Sequence, residues 1–289
     1  MRKVIFTSII MIFLLLVLTG CGSQKEENSS FSVVTSFYPM YIIAINLCDG
    51  IDVNVENMTD TAVGCLHDYT LQTKDLRKVE NADMFIINGL GVENFIDKIT
   101  ENRENLYISD TSKADLYLIQ DEDETNGHVW NNTENYIKQI EIVKEDLVKN
   151  NPENKDKYEK NAEEYTNKIK ELENNRFISQ EKKYVVSCNE ALAYILDEAN
   201  LEVIPVYTEH EESTLSGNML SDIINEVKDK NINAIFMDKD DDRTNAELIA
   251  KETNAQIYVL DSGLSGELDK NAYIDTMNKN YDVLREAIK

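Results

Sequence analysis

Apolar residues along this chain fall into two kinds of run. Short, near-continuous β-rich runs occur at 32–37, 52–56, 84–88 and 106–109, and again at 184–187, 203–207, 234–238 and 256–260. Helical patterns lie between them, at 41–47, 190–199, 215–228 and 245–253. Strands that are apolar throughout suit a parallel sheet covered on both faces, and the alternating helices supply its crossovers. The pattern therefore predicts an α/β protein with two lobes of similar size, each a central parallel sheet flanked by helices.

Between the two sets of strands the period changes to 3.6. Ile137, Ile140, Val143 and Leu147 make one apolar stripe. After Asn151-Pro152, where proline suits a first helical position, Tyr158, Ala162, Tyr165, Ile169 and Leu172 make another. Lys and Glu occupy the remaining faces, as in a helix that joins lobes rather than a flexible linker. The domains expected are 31–150 for the N-terminal α/β lobe, 151–178 for a long, rigid backbone helix, and 179–289 for the C-terminal α/β lobe. No internal repeat stands out.

The first thirty residues have a different logic. Arg2 and Lys3 precede an apolar run from Val4 to Leu18 broken only by Thr7 and Ser8. That run is short of the ~20 residues a bilayer span needs and fits a signal peptide. It closes on Leu18-Thr19-Gly20-Cys21, which looks like a bacterial lipobox: small residues ahead of a cysteine whose sulfur takes a diacylglycerol. Residues 1–20 are thus expected to be cleaved, Cys21 to be lipidated, and 21–30 to act as a polar tether. Two or more acyl chains anchor firmly where one would not. The location implied is the outer face of the bacterial cytoplasmic membrane.

Composition narrows the function. The 289 residues include 54 Asp+Glu against 29 Lys+Arg, a formal charge of −25. Such a chain repels phosphate backbones, which argues against a nucleic-acid partner, and it attracts cations. Outside the cell disulfides are permitted, yet Cys48, Cys65 and Cys188 are an odd number. Cys48 with Cys65 is the simplest of the pairings that count allows. With three histidines and one tryptophan, any imidazole chemistry rests on very few residues.

Those few sit where predicted strands end. His67 follows the second strand, His128 precedes the first long helix, His210 follows the strand near Tyr207, and Asp261 follows 256–260. In open α/β sheets ligands bind at the carboxyl ends of strands, so all four could reach one inter-lobe crevice. Imidazole and carboxylate are the donors a borderline metal such as Zn²⁺ takes, about four at a time. There is no His-Glu-x-x-His pair, phosphate-binding glycine loop or nucleophile elbow, so the reading is of a binding protein, not an enzyme. A metallo-enzyme using His67 and His128 with a metal-bound water is the competing class. Asp238 to Asp242 carries four carboxylates but lacks the glycine and the bidentate Glu of an EF-hand; it reads as a strand exit and helix start.

Six ordered motifs then point to one family. They are Thr35-Ser36-Phe37-Tyr38-Pro39-Met40-Tyr41; His67-Asp68-Tyr69; Asn81-Ala82-Asp83 through Asn88-Gly89-Leu90-Gly91-Val92-Glu93; Gly127-His128-Val129-Trp130; Glu190-Ala191-Leu192-Ala193-Tyr194; and Leu260-Asp261-Ser262. Over nearly its whole mature length the chain resembles the zinc/manganese ABC-transporter solute-binding lipoproteins. The resemblance implies one divalent metal, Zn²⁺ first and Mn²⁺ or Fe²⁺ as alternatives, held between two lobes. It also implies a monomer that delivers the ion to a permease powered by a cytoplasmic ATPase. A surface adhesin is the alternative role in such a family. His67, His128 and Asp261 fall on ligand positions. The third ligand position, His or Glu in the family, is Asn189 here, a weaker neutral donor, and His210 is the expected replacement, with Glu209, Glu211 and Cys188 behind it. The Asp-Pro that precedes the second histidine in the family is Asn126-Gly127, a change expected to affect the loop's stiffness and not its donor.

Overall fold

The computed structural model describes residues 30–59, 69–101, 103–121, 124–206 and 216–289. Cys21, His67 and His210, with Cys65, lie outside them.

The first lobe is built on β1 (Phe31–Thr35), β2 (Val53–Asn57), β3 (Met84–Ile87) and β4 (Tyr107–Asp110), paired in parallel in the order β2-β1-β3-β4. β3, Met-Phe-Ile-Ile, is buried at every position, the consequence of having helices on both faces. Around this sheet lie α1 (Tyr38–Leu47), α2 (Thr73–Glu80) and α3 (Ile96–Thr100). α1 starts three residues earlier than its apolar pattern suggests, because Pro39 sits in the first turn where a missing N–H costs nothing. A two-strand ribbon, β5 (Gln120–Asp121) with β6 (Glu124–Thr125), then leads into the long helices α4 (Thr133–Asn150) and α5 (Lys155–Lys170).

The second lobe repeats the connectivity of the first. Its strands β7 (Lys183–Ser187), β8 (Leu201–Pro205), β9 (Ala234–Asp238) and β10 (Gln256–Leu260) are parallel in the order β10-β9-β7-β8. In each lobe the first strand is flanked by the second and third, so each has a topological switch point beside its first strand. No sequence repeat announces this. The helices are α6 (Ala193–Glu198), α7 (Gly217–Asp229), α8 (Thr244–Thr253) and α9 (Ala272–Ala287). The expected helix over 190–199 is divided: a 3-10 turn at Glu190–Leu192 precedes α6. β8 lies two residues earlier than expected and ends on Pro205, which an edge strand tolerates because its N–H side need not pair.

The long helices bury their predicted stripes, Ile140, Val143 and Leu147 on α4 and Tyr158, Ala162, Tyr165 and Ile169 on α5. Ile137 is only partly buried, its place on the inner face taken by Tyr136 and Gln139. α5 continues as a 3-10 turn over Glu171–Asn174, and its Asn161 amide donates to the carbonyls of Leu47 and Asp49 at 2.9 Å each, which ties it to the end of α1.

One apolar core runs through both lobes, from Val33, Met40 and Phe85 past Trp130 and Tyr136 to Leu196, Tyr273 and Tyr281. Tyr136 of α4 and Tyr273 of α9 stack with ring centroids 3.8 Å apart. Burying each ring contributes about 1.5–3 kcal/mol, so separating the lobes here would carry a substantial cost. A second cluster around Val186, Ile235 and Met237 is confined to the second lobe. Cys48 is a buried free thiol and Cys188 is also free, which corrects the Cys48–Cys65 pairing. Burial pushes the Cys48 thiol up to about 12, so it behaves as a small apolar core residue. Among the described residues no helix is long and apolar enough to cross a membrane.

Candidate metal centre

His128 stands between the β5–β6 ribbon and α4, and the first lobe holds it from below. Glu93 is wholly enclosed. Its carboxylate accepts from Ser36 Oγ at 2.7 Å and from the backbone N–H groups of Asn88 and Gly89 at 2.8 and 3.0 Å. Burial pushes this carboxyl up to about 7, against those three bonds, which favour the anion. Glu93 thereby gathers the loop after β3, in which Gly89 and Gly91 have φ of +80° and +81°. Asn88, pinned there, donates from its side chain to the Gly127 carbonyl at 2.9 Å and accepts from Gln139 Nε2 at 2.9 Å. Gly127 itself has no room for a side chain: a Cβ would stand 2.6 Å from Val92 Cγ2. The motifs Asn88–Glu93 and Gly127-His128 are thus one construction, a platform that fixes the loop carrying the imidazole.

The histidine ring is 1% exposed. Asn126 Oδ1 lies 2.9 Å from the backbone nitrogen of His128 and 3.0 Å from its ring Nδ1. A backbone N–H can only donate, so that side-chain atom is the amide oxygen, and Nδ1 must carry the ring proton. The lone pair then resides on Nε2, the tautomer a metal ligand needs, held by a partner of the kind that orients ligating histidines. Nε2 points toward the second lobe, 3.9 Å from Oε1 of Glu190.

From the other side the second lobe clasps the same loop. Asn126 Nδ2 donates to the Glu190 carbonyl at 3.0 Å, and Tyr194 OH donates to the Asn126 carbonyl at 2.8 Å. Trp130 Nε1 donates to the Ser262 carbonyl at 2.9 Å, Asn131 Nδ2 to the Ala191 carbonyl at 2.9 Å, and Tyr273 OH to the Trp130 carbonyl at 3.0 Å. Through these bonds the segments after β7 and after β10 both reach the histidine's loop.

Those two segments carry the other expected residues. Asn189 follows β7, and its amide is engaged at both ends: Oδ1 accepts from the Ala191 N–H at 2.8 Å, capping the 3-10 turn, while Nδ2 donates to Asp241 Oδ1 at 2.7 Å. Asp261 follows β10; Oδ1 accepts from the Gly263 N–H at 2.9 Å and Oδ2 pairs with Lys239 Nζ at 2.9 Å. Among the described residues no three His, Cys, Asp or Glu side chains are grouped to hold a metal ion, and the remaining expected donors, His67 and His210, lie outside them. Within 238–242 only Asp242 serves the helix start, accepting from the Thr244 N–H at 2.8 Å. Asp238 is buried, its carboxyl raised by that burial, and it accepts from the Ser262 N–H at 2.6 Å. It therefore holds the Asp261 loop rather than a helix terminus.

From the sequence, Asn126 has a part only in the loop's stiffness, and Glu190 stands in a family motif without a role of its own. The signal available was a side-chain amide two residues before a histidine, a spacing that lets one oxygen meet both the backbone and the ring.

The comparisons agree with this architecture. The family described as zinc-uptake complex component A, periplasmic (ZnuA) matches residues 33–287. The manganese-binding lipoprotein MntA of Halalkalibacterium halodurans is 25% identical, over 98% of this chain and 97% of its own. The high-affinity zinc uptake system protein ZnuA of Bacillus subtilis is 25% identical over 94% of each. Among solved structures, the solute-binding protein FpvC of Pseudomonas aeruginosa in complex with Mn²⁺ superposes with a TM-score of 0.80 at 21% identity, covering 90% of this chain and 98% of that one.

Proposed function

The chain belongs to the ZnuA family of metal-binding receptors of ABC transporters, and we propose that it captures Zn²⁺ in the cleft between its lobes for delivery to a membrane permease. The observation that carries this reading is His128: a buried imidazole with its proton committed to Asn126, presenting a lone pair on Nε2 toward the second lobe. A borderline cation takes a neutral imidazole through that lone pair.

In this reading His67 joins His128 from the first lobe and Asp261 comes from the second, with one further second-lobe donor, for which the sequence offers His210 and Asn189. Two or three imidazoles with a carboxylate favour Zn²⁺; fewer imidazoles shift the preference toward Mn²⁺ or Fe²⁺. The protein acts as a monomeric, non-catalytic receptor tethered through Cys21 to the outer face of the bacterial cytoplasmic membrane, and its permease is driven by a cytoplasmic ATPase. Lys239, paired with Asp261, yields one carboxylate oxygen when the cation enters. Elemental analysis of protein purified without chelators tests the reading. About one zinc per chain is expected; protein that carries no transition metal and binds none on titration would overturn it.

A further inference from the structure

We propose that Glu190, and not the neighbouring Asn189, is the second lobe's donor beside Asp261; the inference rests on the metal-receptor reading above. Three observations carry it. Asn189 has both ends of its amide committed, the oxygen to the Ala191 N–H and the nitrogen to Asp241 in the turn that follows β9. Glu190 Oε1 stands 3.9 Å from His128 Nε2. This is too far for a hydrogen bond, yet it is within the roughly 4 Å that two metal–donor bonds of about 2.0–2.2 Å span through a shared ion. Finally, the main chain of Glu190 is registered to the histidine by the same residue that orients the ring, because Asn126 accepts from Nδ1 with its oxygen and donates to the Glu190 carbonyl with its nitrogen.

The chemistry favours the exchange. A carboxylate supplies a charge that an amide lacks, which compensates a divalent cation in a site whose imidazoles are neutral. The Glu190 side chain is 46% exposed, at the surface and not in the core. Asn189 serves the backbone instead, since by capping the 3-10 turn it starts the segment that delivers Glu190 to the cleft. Two carboxylates would make the site more oxygen-rich than a three-imidazole shell, so that it accepts manganese and iron as well as zinc.

The test uses the full-length chain, titrated with ZnCl₂ and MnCl₂, and the visible absorption spectrum of the Co²⁺-loaded protein, which reports the donor set directly. Glu190→Ala should change the cobalt spectrum and weaken both metals by more than the ~10–100-fold that loss of an outer-shell partner costs. Asn189→Ser, which keeps a capping oxygen, should leave the spectrum as in wild type. A cobalt spectrum unchanged in Glu190→Ala overturns the inference alone, as does one changed by Asn189→Ser but not by Glu190→Ala. Wild-type protein that binds none of the three metals overturns the receptor reading and this inference with it.

Discussion

The Oδ1 atom of Asn126 accepts two hydrogen bonds from His128, one from its backbone N–H at 2.9 Å and one from ring Nδ1 at 3.0 Å. This pair fixes both the position and the tautomer of the imidazole. The amide's other end reaches across to the Glu190 carbonyl, so one side chain registers the ring against both lobes.

Asn126→Ala should therefore weaken metal binding by about 10–100-fold, the usual cost of removing the partner of a ligating histidine. Asn126→Asp retains the acceptor for Nδ1 but sets a carboxylate oxygen against the Glu190 carbonyl, and should fall between alanine and wild type. Zinc titration by calorimetry checks the order; equal affinities in all three proteins would mean Asn126 is not a positioning residue.

Metal itself should stabilise the protein. A ligand bound only by the native state adds RT ln(1 + [L]/Kd), about 2.7 kcal/mol at a hundredfold excess over Kd. The Tm should rise on adding zinc, return on chelation, and stop responding in His128→Ala. A zinc response that survives in that variant would place the bound ion elsewhere.

Gly89 and Gly91 share nearly the same positive φ but differ in their surroundings. A Cβ on Gly89 would meet Asp110 Oδ1 at 2.4 Å, whereas nothing lies within 4 Å of one on Gly91. Gly91→Ala should cost only the left-handed backbone penalty, about 1–2 kcal/mol. Gly89→Ala adds overpacking of about 1–3 kcal/mol. Urea unfolding of the two variants should show the larger loss at Gly89, and equal losses would contradict the packing described.

Burial pushes Glu93 up to about 7 from an ordinary value of 4.5. An acid raised on folding favours the protonated native state. Its contribution to stability is therefore complete below pH 4.5 and is lost as pH rises toward 7. The difference amounts to something on the order of 3 kcal/mol. Relative to Glu93→Gln, which does not titrate, wild type should lose stability between pH 4.5 and 7 and stay level above that. A constant difference across the range would show that the three donors to Glu93 offset its desolvation completely.

Much of this protein is legible along the chain. β9 and β10 fall on the apolar runs at 234–238 and 256–260, and the other main strands lie within two residues of theirs. Departures came from proline, at Pro39 and Pro205, and from the cap at Asn189 that divides one helix into a 3-10 turn and α6. His128 and Asp261 stood out because one of only three imidazoles precedes a helix and a carboxylate follows the end of a strand. The link between Asn126 and Glu190 did not, because it joins two ordinary polar residues 64 positions apart.

What the sequence determined by itself is the α/β architecture, because apolar runs and their period act over a few residues and report how a strand or helix is covered. Only the tertiary structure decided that Asn189 bonds to Ala191 and Asp241 while Glu190 stands 3.9 Å from the histidine, that Cys48 is unpaired, and that Glu93 holds the platform under the imidazole's loop. Those are matters of angle and of partners distant in the chain. Two adjacent residues leave the backbone in different directions, and which of them meets a buried ring is set by the packing of whole lobes.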